Sequence, residues 1–249
     1  MAPRKNTGST GTGRRADALS RERIVEAAVE LLDTAGEGGL TFRVLTERLA
    51  TGAGAIYWHV ANKGELLAAA TEAVVAAALA GAPARPQRTP RDAVRAVALG
   101  LFDALDAHPW LGPQLATQMP RDPARSVTPL LYEAVGRQVR ALGVPEAAWF
   151  TGTSALVHYI LGAAGQNAAN GRAARAHVGT DRGAFLDSVS TAWEALDPGE
   201  YPFVRAVANQ LRDHDDTEQF LAGVDLILAG ITALHAPDTP HSPDAPAAG

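Results

Sequence analysis

Tyr57, Trp58 and His59 stand side by side, and Lys63 follows four positions later. A phenol, an indole, an imidazole and an ammonium crowded into one short stretch suit contact with phosphate oxygens and base edges. A buried core would not choose four polar tips in seven positions. Upstream, Thr41 and Arg43 add a hydroxyl and a guanidinium, the latter able to reach a guanine edge or a phosphate. Asn62-Lys63 opens a helix, and the free N–H groups of a helix start receive an anion. The chemistry expected of this cluster is duplex DNA binding. Two other groupings are weaker. Ser154 and His158 are four apart, but GTSAL lacks the second glycine of a nucleophile elbow and no partner acid is evident, so hydrolysis is not expected. Arg212-Asp213-His214-Asp215-Asp216 has metal-ligand residue types, yet reads as a polar turn in which Asp216 caps the next helix with Gln219 three residues on. No catalytic or metal site and no cofactor is expected.

The elements that must hold the first cluster follow from periodicity. Ser20 is a good N-cap. Ile24, Ala27, Ala28, Leu31 and Leu32 then repeat at three and four, an amphipathic helix ending near Gly36. Thr41 caps a second helix whose Phe42, Leu45 and Leu49 point one way. Thr51-Gly52 makes a turn, and residues 53–59 form a third, short helix. Asn62 caps a fourth, with Glu65 three residues on in a variant capping box, running to about Leu79. Helix, turn, short helix is the layout of a helix-turn-helix reader, in which the third helix enters the major groove while its neighbours grip phosphates. Beyond the breaker-rich joint 81–86, helices are expected at about 91–107, 126–142, 145–169, 183–196, 201–212 and 217–235. His108-Pro109 through Pro113 and Met119-Pro120 read as broken segments, and 170–182 as an exposed loop. The expected organisation is a flexible basic arm over 1–19, a reader over 20–66, a helical body over 67–236 and a disordered tail over 237–249. Arg4, Lys5, Arg14 and Arg15 of the arm are placed either to touch DNA or simply to be solvated.

Composition bounds these readings. The chain has 249 residues, 47% of them apolar, and no cysteine, so disulfides and thiolate metal sites do not arise. No secretory signal is expected at its start, and no run is expected to approach the roughly 20 apolar residues that span a bilayer. These features imply a cytoplasmic protein with no membrane partner. A net charge of −5 argues at first against nucleic acid. Its distribution softens the objection: residues 1–65 carry nine Lys/Arg against eight Asp/Glu, and the remainder carries 13 against 19. DNA affinity needs charge at the contact face, not a basic whole.

At Ala55-Ile56-Tyr57-Trp58-His59-Val60-Ala61-Asn62-Lys63 the chain resembles the TetR family of bacterial transcriptional regulators, the tetracycline repressors in particular. Helix 1 and Gly39-Leu40-Thr41 fit the same pattern over about residues 20–75. A weaker likeness reappears at Tyr201-Pro202-Phe203-Val204-Arg205 and along 220–231. The resemblance implies an all-α fold: an N-terminal three-helix helix-turn-helix domain plus a C-terminal helical ligand-binding and dimerisation domain. It implies DNA contacts by Thr41, Arg43, Ala53, Ala55, Tyr57, Trp58, His59 and Lys63, on a palindromic operator, by a homodimer. It also implies a repressor released from DNA by a small-molecule effector. The alternative is a regulator of the same fold answering to a protein partner. Two departures stand out. The position before Thr51 is usually Gly and is Ala50 here, and Gly52-Ala53-Gly54-Ala55 offers bases almost no hydrogen-bonding side chains. Operator choice then rests on thymine-methyl contacts, Arg43 and DNA shape.

The helical body is expected to pair with a second copy through its most apolar helices: Phe220, Leu221, Val224, Leu226, Ile227, Leu228, Ile231 and Leu234 on the last, and Ala155, Leu156, Tyr159, Ile160, Ala163 and Ala164 on another. Polar and aromatic residues set among apolar ones are the candidates for an effector pocket: His108, Trp110, Gln114, Met119, Trp149, Phe150, His158, Gln166, Asn167 and Trp193.

Overall fold

The computed structural model describes residues 19–81, 89–121, 127–176 and 182–235. The basic arm, most of the 81–86 joint and the C-terminal tail lie outside the described residues. Among the described residues every regular element is helical, in the order α1 (Arg21–Gly39), α2 (Phe42–Leu49), α3 (Ala53–Tyr57), α4 (Lys63–Gly81), α5 (Pro90–Ala107), α6 (Leu111–Gln118), α7 (Thr128–Ala141), α8 (Glu146–Ala176), α9 (Arg182–Glu194), α10 (Pro202–Val207), a 3₁₀ turn (Ala208–Leu211) and α11 (Asp216–Leu234). The chain divides into two compact units, residues 1–73 and 74–249, and α4 continues across that division.

The first unit is built by its caps and one apolar stripe per helix. Ser20 accepts from the Arg23 N–H at α1, and Thr41 accepts from the Val44 N–H at α2. Gly36 breaks the regular backbone of α1 with φ 63° and ψ −172°, where the sequence ends that helix, but a further turn follows to Gly39. Ile24, Ala28, Leu32, Leu40, Leu45, Ile56, Val60 and Leu66 are buried together. The α2–α3 turn passes through Ala50 at φ 49°, ψ 45°, a left-handed conformation that glycine adopts without penalty.

The second unit packs α8 against α5, α7 and α11, with α5 also touching α7 and α11. Val94, Ala98, Leu101, Leu131, Val135, Leu156, Ile160, Phe220, Val224 and Leu228 form its core. Close approach is set by two small residues. A Cβ on Gly100 of α5 would lie 2.5 Å from the backbone oxygen of Ala78 in α4, and one on Gly223 of α11 would lie 1.9 Å from the Tyr159 hydroxyl of α8. Arg95 and Asp225 form an ion pair between α5 and α11, and Arg91 donates to Thr232 at 2.8 Å. A second, smaller assembly joins α9 to α10 and the 3₁₀ turn. There the buried Ser190 hydroxyl donates to the Ala208 carbonyl at 2.8 Å, and Arg212 holds Asp187 and Glu194, each at 2.7 Å.

Four sequence expectations change. Residues 111–118 are helical, because Pro113 sits in the first turn of α6, where its missing N–H has no partner to lose. The loop expected over 170–182 is helical as far as Ala176: Ala and Arg favour helix and extend a long preformed one. Asp215, not Asp216, caps α11, accepting from the Glu218 N–H at 2.7 Å. Finally, α4 and α11 are each long and apolar enough to cross a membrane by length and composition, contrary to the expectation for the whole chain. Both lend buried residues to the cores described, Leu66 and Val75 from α4 and Phe220, Val224 and Leu228 from α11.

Candidate nucleic-acid interface and effector cavity

In the first unit the predicted DNA-contacting side chains are placed by α2, α3 and the start of α4. Ile56 and Val60 anchor the short α3 by burial, which turns its other side outward. Tyr57 stacks on Phe42 of α2 with ring centroids 4.5 Å apart and planes 8° from parallel. That stack fixes the ring and leaves its hydroxyl at the surface, the residue being 52% exposed. Trp58 is 87% exposed, a state that costs apolar surface in water and suits an aromatic meant to be covered by a partner. His59 is half-buried beside them, while Ala53 and Ala55 are exposed.

The charged members are held loosely. Arg43 pairs with Glu47 at 3.0 Å, but both side chains are mostly exposed, so the pair contributes only about 0–1 kcal/mol. Lys63 donates to the Glu37 carbonyl at 2.7 Å. Asn62 caps α4 by accepting from the Glu65 N–H at 2.9 Å, and the Glu65 carboxylate takes the Ala61 N–H at 2.8 Å. The Thr41 oxygen is occupied by its cap, and its hydroxyl hydrogen can still donate to a phosphate. Two ion pairs set the scaffold, Arg48 with Glu30 and Arg21 with Glu65. At the start of α1 the Glu22 carboxyl is held below its ordinary range by the hydrogen bond of its own backbone N–H and by Ser20, with smaller help from Arg21 and His59. The eight predicted residues therefore lie on one short stretch of α2, α3 and the α4 start. The reading segment is bare: a Cβ on Gly52 or Gly54 would meet nothing within 4 Å.

The ten effector candidates do not share one place in the second unit. His108 caps the end of α5 with its ring edge toward the buried Trp110, centroids 5.9 Å apart. Gln114, also buried, accepts from Gln118 at 2.8 Å, and Met119 is half-buried at the end of α6. Trp149 and Phe150 line a groove of about 310 Å³ between α7 and α8. Trp149 donates to the Val144 carbonyl at 2.6 Å beneath the Arg140 guanidinium, and Phe150 faces Tyr132 at 6.0 Å. His158 is exposed on α8, and Trp193 is half-buried on α9. Ser154 meets the Tyr132 hydroxyl at 3.2 Å, so no Ser–His pair forms.

Gln166 and Asn167 do come together, at a cavity of about 520 Å³ between α8, α9, the 3₁₀ turn and the start of α11. Its other walls were missed in the sequence. Phe185, Leu186 and Val189 bring apolar surface from α9, and Arg182, His214 and Asp216 bring charge. Arg182 binds Asp216 at 2.7 Å, and His214 approaches the same carboxylate at 3.0 Å. Burial opposes ionisation of Asp216, but the hydrogen bond and charge of Arg182, aided by His214, hold its carboxyl below the ordinary value. The only sequence signal for this cluster was the polar run 212–216, which taken alone reads as a turn.

A helix-turn-helix unit with exposed aromatic and basic groups, joined to a cavity-bearing helical unit, defines a DNA-binding transcriptional regulator. Residues 24–70 match the family model for bacterial regulatory proteins of the tetR family, and residues 82–235 match that for the tetracyclin repressor-like C-terminal domain. The chain belongs to the TetR family. It is similar to the solved structure of the transcriptional regulator SCO7222, a TetR from Streptomyces coelicolor: 66% identity, TM-score 0.80, over 88% of this chain and 100% of that one. It is 32% identical to an HTH-type transcriptional regulator of Saccharopolyspora erythraea over 145 residues, 58% of this chain and 59% of that relative's length. It is 27% identical to the HTH-type transcriptional repressor DrrR1 of Streptomyces coeruleorubidus over 88% of this chain and 79% of the relative. Members of this family are regulators, not enzymes.

Proposed function

We propose that this protein acts in the cytoplasm as a homodimeric repressor that binds a palindromic operator and is released from it by a small molecule. The observation that carries the release is the cavity of about 520 Å³ in the second unit, a volume that fits a drug-sized ligand. Thr41, Arg43, Tyr57, Trp58, His59 and Lys63 grip the operator, and Ala53 and Ala55 approach its bases. Homodimerisation is supported by the outer face of α11, where Leu226 and Leu234 are 74% and 82% exposed. With Ala222, Ala229 and Ala233 they make an apolar stripe suited to a second copy. The effector acts by favouring a dimer conformation that the operator disfavours, so ligand and operator weaken each other by the same factor.

The test is a fluorescence-anisotropy titration with DNA flanking the protein's own gene. Folded Tyr57→Ala and Lys63→Ala proteins bind that DNA more weakly than wild type; equal binding would falsify the site. A thermal-shift screen of metabolites and antibiotics then seeks a saturable stabiliser that also releases the DNA. A second reading, release by a protein partner, rests on Phe150, which is 73% exposed at the α7–α8 groove. It gains ground if no small molecule in the screen stabilises the protein.

A further inference from the structure

The groove between α7 and α8 is an aromatic cleft with a basic rim. Phe150 faces Tyr132 at 6.0 Å with the ring planes 27° apart, and Trp149 stands beside it in the chain. Trp149 is pinned by its bond to the Val144 carbonyl and lies under the Arg140 guanidinium, 5.3 Å from the ring centroid. Arg137, a turn earlier on α7, pairs with Glu133 at 3.4 Å, an exposed pair that contributes little. Most of the Phe150 ring meets water, an apolar cost that a covering segment removes. Aromatic rings along a shallow groove are the surface that takes a polyproline II segment, whose stiff backbone loses little entropy on binding.

The chain itself carries a segment of that kind close by. Residues 236–249, APDTPHSPDAPAAG, lie outside the described residues and have proline at 237, 240, 243 and 246, every third position. A polyproline II helix has three residues per turn, so this spacing would set all four prolines on one edge and Asp238, His241 and Asp244 on the next. The two aspartates are opposite in sign to Arg137 and Arg140, and the segment has no Lys or Arg of its own. Its starting point is near the groove. Ile231, three residues before α11 ends, packs against both groove helices: a Cβ on Gly152 of α8 would lie 3.4 Å from Ile231 Cδ1 and 3.4 Å from Val139 Cγ1 of α7. Gly152 and Val139 adjoin Thr153 and Arg140, which line the groove. The segment can span about 43 Å as polyproline II, against about 12 Å of helix from Tyr132 to Arg140.

We propose that the groove between α7 and α8 binds the chain's own proline-rich segment 236–249. The prolines enter between Tyr132, Trp149 and Phe150, and the aspartates meet Arg137 and Arg140. Tethering places the segment at an effective concentration of about millimolar, so a contact too weak to hold separate molecules still fills the groove. A filled groove is closed to the proline-rich segments of other proteins. The proposal does not depend on the reading of the second unit as an effector-binding body.

The test uses the full-length protein. The chain has no cysteine, so Thr239→Cys supplies a single site for a nitroxide label, on the edge that carries neither prolines nor acids. The tryptophans are replaced by 5-fluorotryptophan, and the Trp149 fluorine line is assigned with Trp149→Phe. The label broadens that line, and the line sharpens in Phe150→Ser and in the double variant Pro240→Ala/Pro243→Ala. Phe150 is mostly exposed and the double variant alters no described residue, so thermal midpoints confirm that both remain folded. A fluorescent peptide of sequence 236–249 binds the full-length double variant about tenfold more tightly than wild type, whose groove is already filled. In dimers mixed with excess unlabelled Phe150→Ser chain, the broadening persists, because each segment lies in its own chain's groove. The proposal is overturned if neither substitution sharpens the Trp149 line. It is also overturned if the peptide binds neither protein, or binds wild type as tightly as the double variant, which would leave the groove open to another partner. Loss of broadening in the mixed dimers overturns it too, and places the segment in the groove of a second copy.

Discussion

At the residue scale the proposed grip on DNA and its structural cost can be separated. Tyr57 has separable parts: a ring stacked on Phe42 and a hydroxyl at the surface. Tyr57→Phe keeps the stack, so urea denaturation shows unchanged stability while operator affinity falls by about 0.5–1.5 kcal/mol for the lost hydrogen bond. Tyr57→Ala loses the stack as well and is destabilised by a further ~0.5–1.5 kcal/mol. Lys63→Ala lowers the slope of log affinity against log salt by about 1 without changing sequence preference. Ala50 is the opposite case, a residue that costs stability. Its left-handed backbone predicts that Ala50→Gly stabilises the protein by about 0.5–1 kcal/mol, the relief of strain exceeding the added unfolded-state entropy, as denaturant midpoints will show. The exposure of this candidate cluster was legible because Tyr57, Trp58, His59 and Lys63 lie close in sequence and their polar tips do not suit a core. That the departure from glycine at position 50 lands on a positive φ required coordinates.

At the scale of elements, the helix crossings make two glycines intolerant of a side chain. Gly100→Ala drives a methyl group against the Ala78 backbone oxygen, which cannot rotate away, so a loss of about 1–3 kcal/mol is expected in thermal or urea melts. Gly223→Ala meets the hydroxyl and ring of Tyr159, which can move only at the cost of its hydrogen bond to the Phe220 carbonyl and its stack on the Phe220 ring, so a loss of similar size is expected. Periodicity and caps made the elements of the first unit legible: Ser20, Thr41 and Asn62 are all caps, and Ile24, Ala28 and Leu32 are all buried. The second unit was less legible where composition misleads. Asn170, Gly171 and the residues after them look like a loop until the preceding helix is seen to propagate through them, and α6 hides between prolines. The cavity was legible only at Gln166 and Asn167. Its other walls come from α9 and α11: Arg182 and Phe185 share a face of α9 by their spacing of three, but nothing in the spacing brings them to His214, about thirty residues on.

At the scale of the whole molecule, two expectations are global. Leu226→Glu places a carboxylate in the outer apolar stripe of α11. Light scattering should then report a monomer, and operator affinity should collapse because a lone reader holds half a palindrome. A folded Leu226→Glu dimer with wild-type affinity overturns that interface. The second concerns acid. The carboxyl of Asp216 is lowered in the folded state, so its stabilising contribution is complete above the ordinary carboxylate value of about 4 and is lost as pH falls through the lower folded value. Asp216→Asn removes that dependence, so the acid limb of the stability curve flattens while the neutral region drops. An unchanged acid limb would show that Arg182 and Asp216 do not stay paired in solution.

The empty ground around Gly52 and Gly54 reaches beyond the fold. A reader with few letters of its own ranks targets by how readily the duplex bends and narrows. If the proposed reading helix does meet the bases, a graded series of related sites is expected instead of one sharply defined address, and footprinting across protein concentrations checks it. The same vacancy makes it easy to retrain. Side chains installed at 53, 54 or 55 displace nothing, so vocabulary can be added here without rebuilding the grammar that Tyr57 and Lys63 supply.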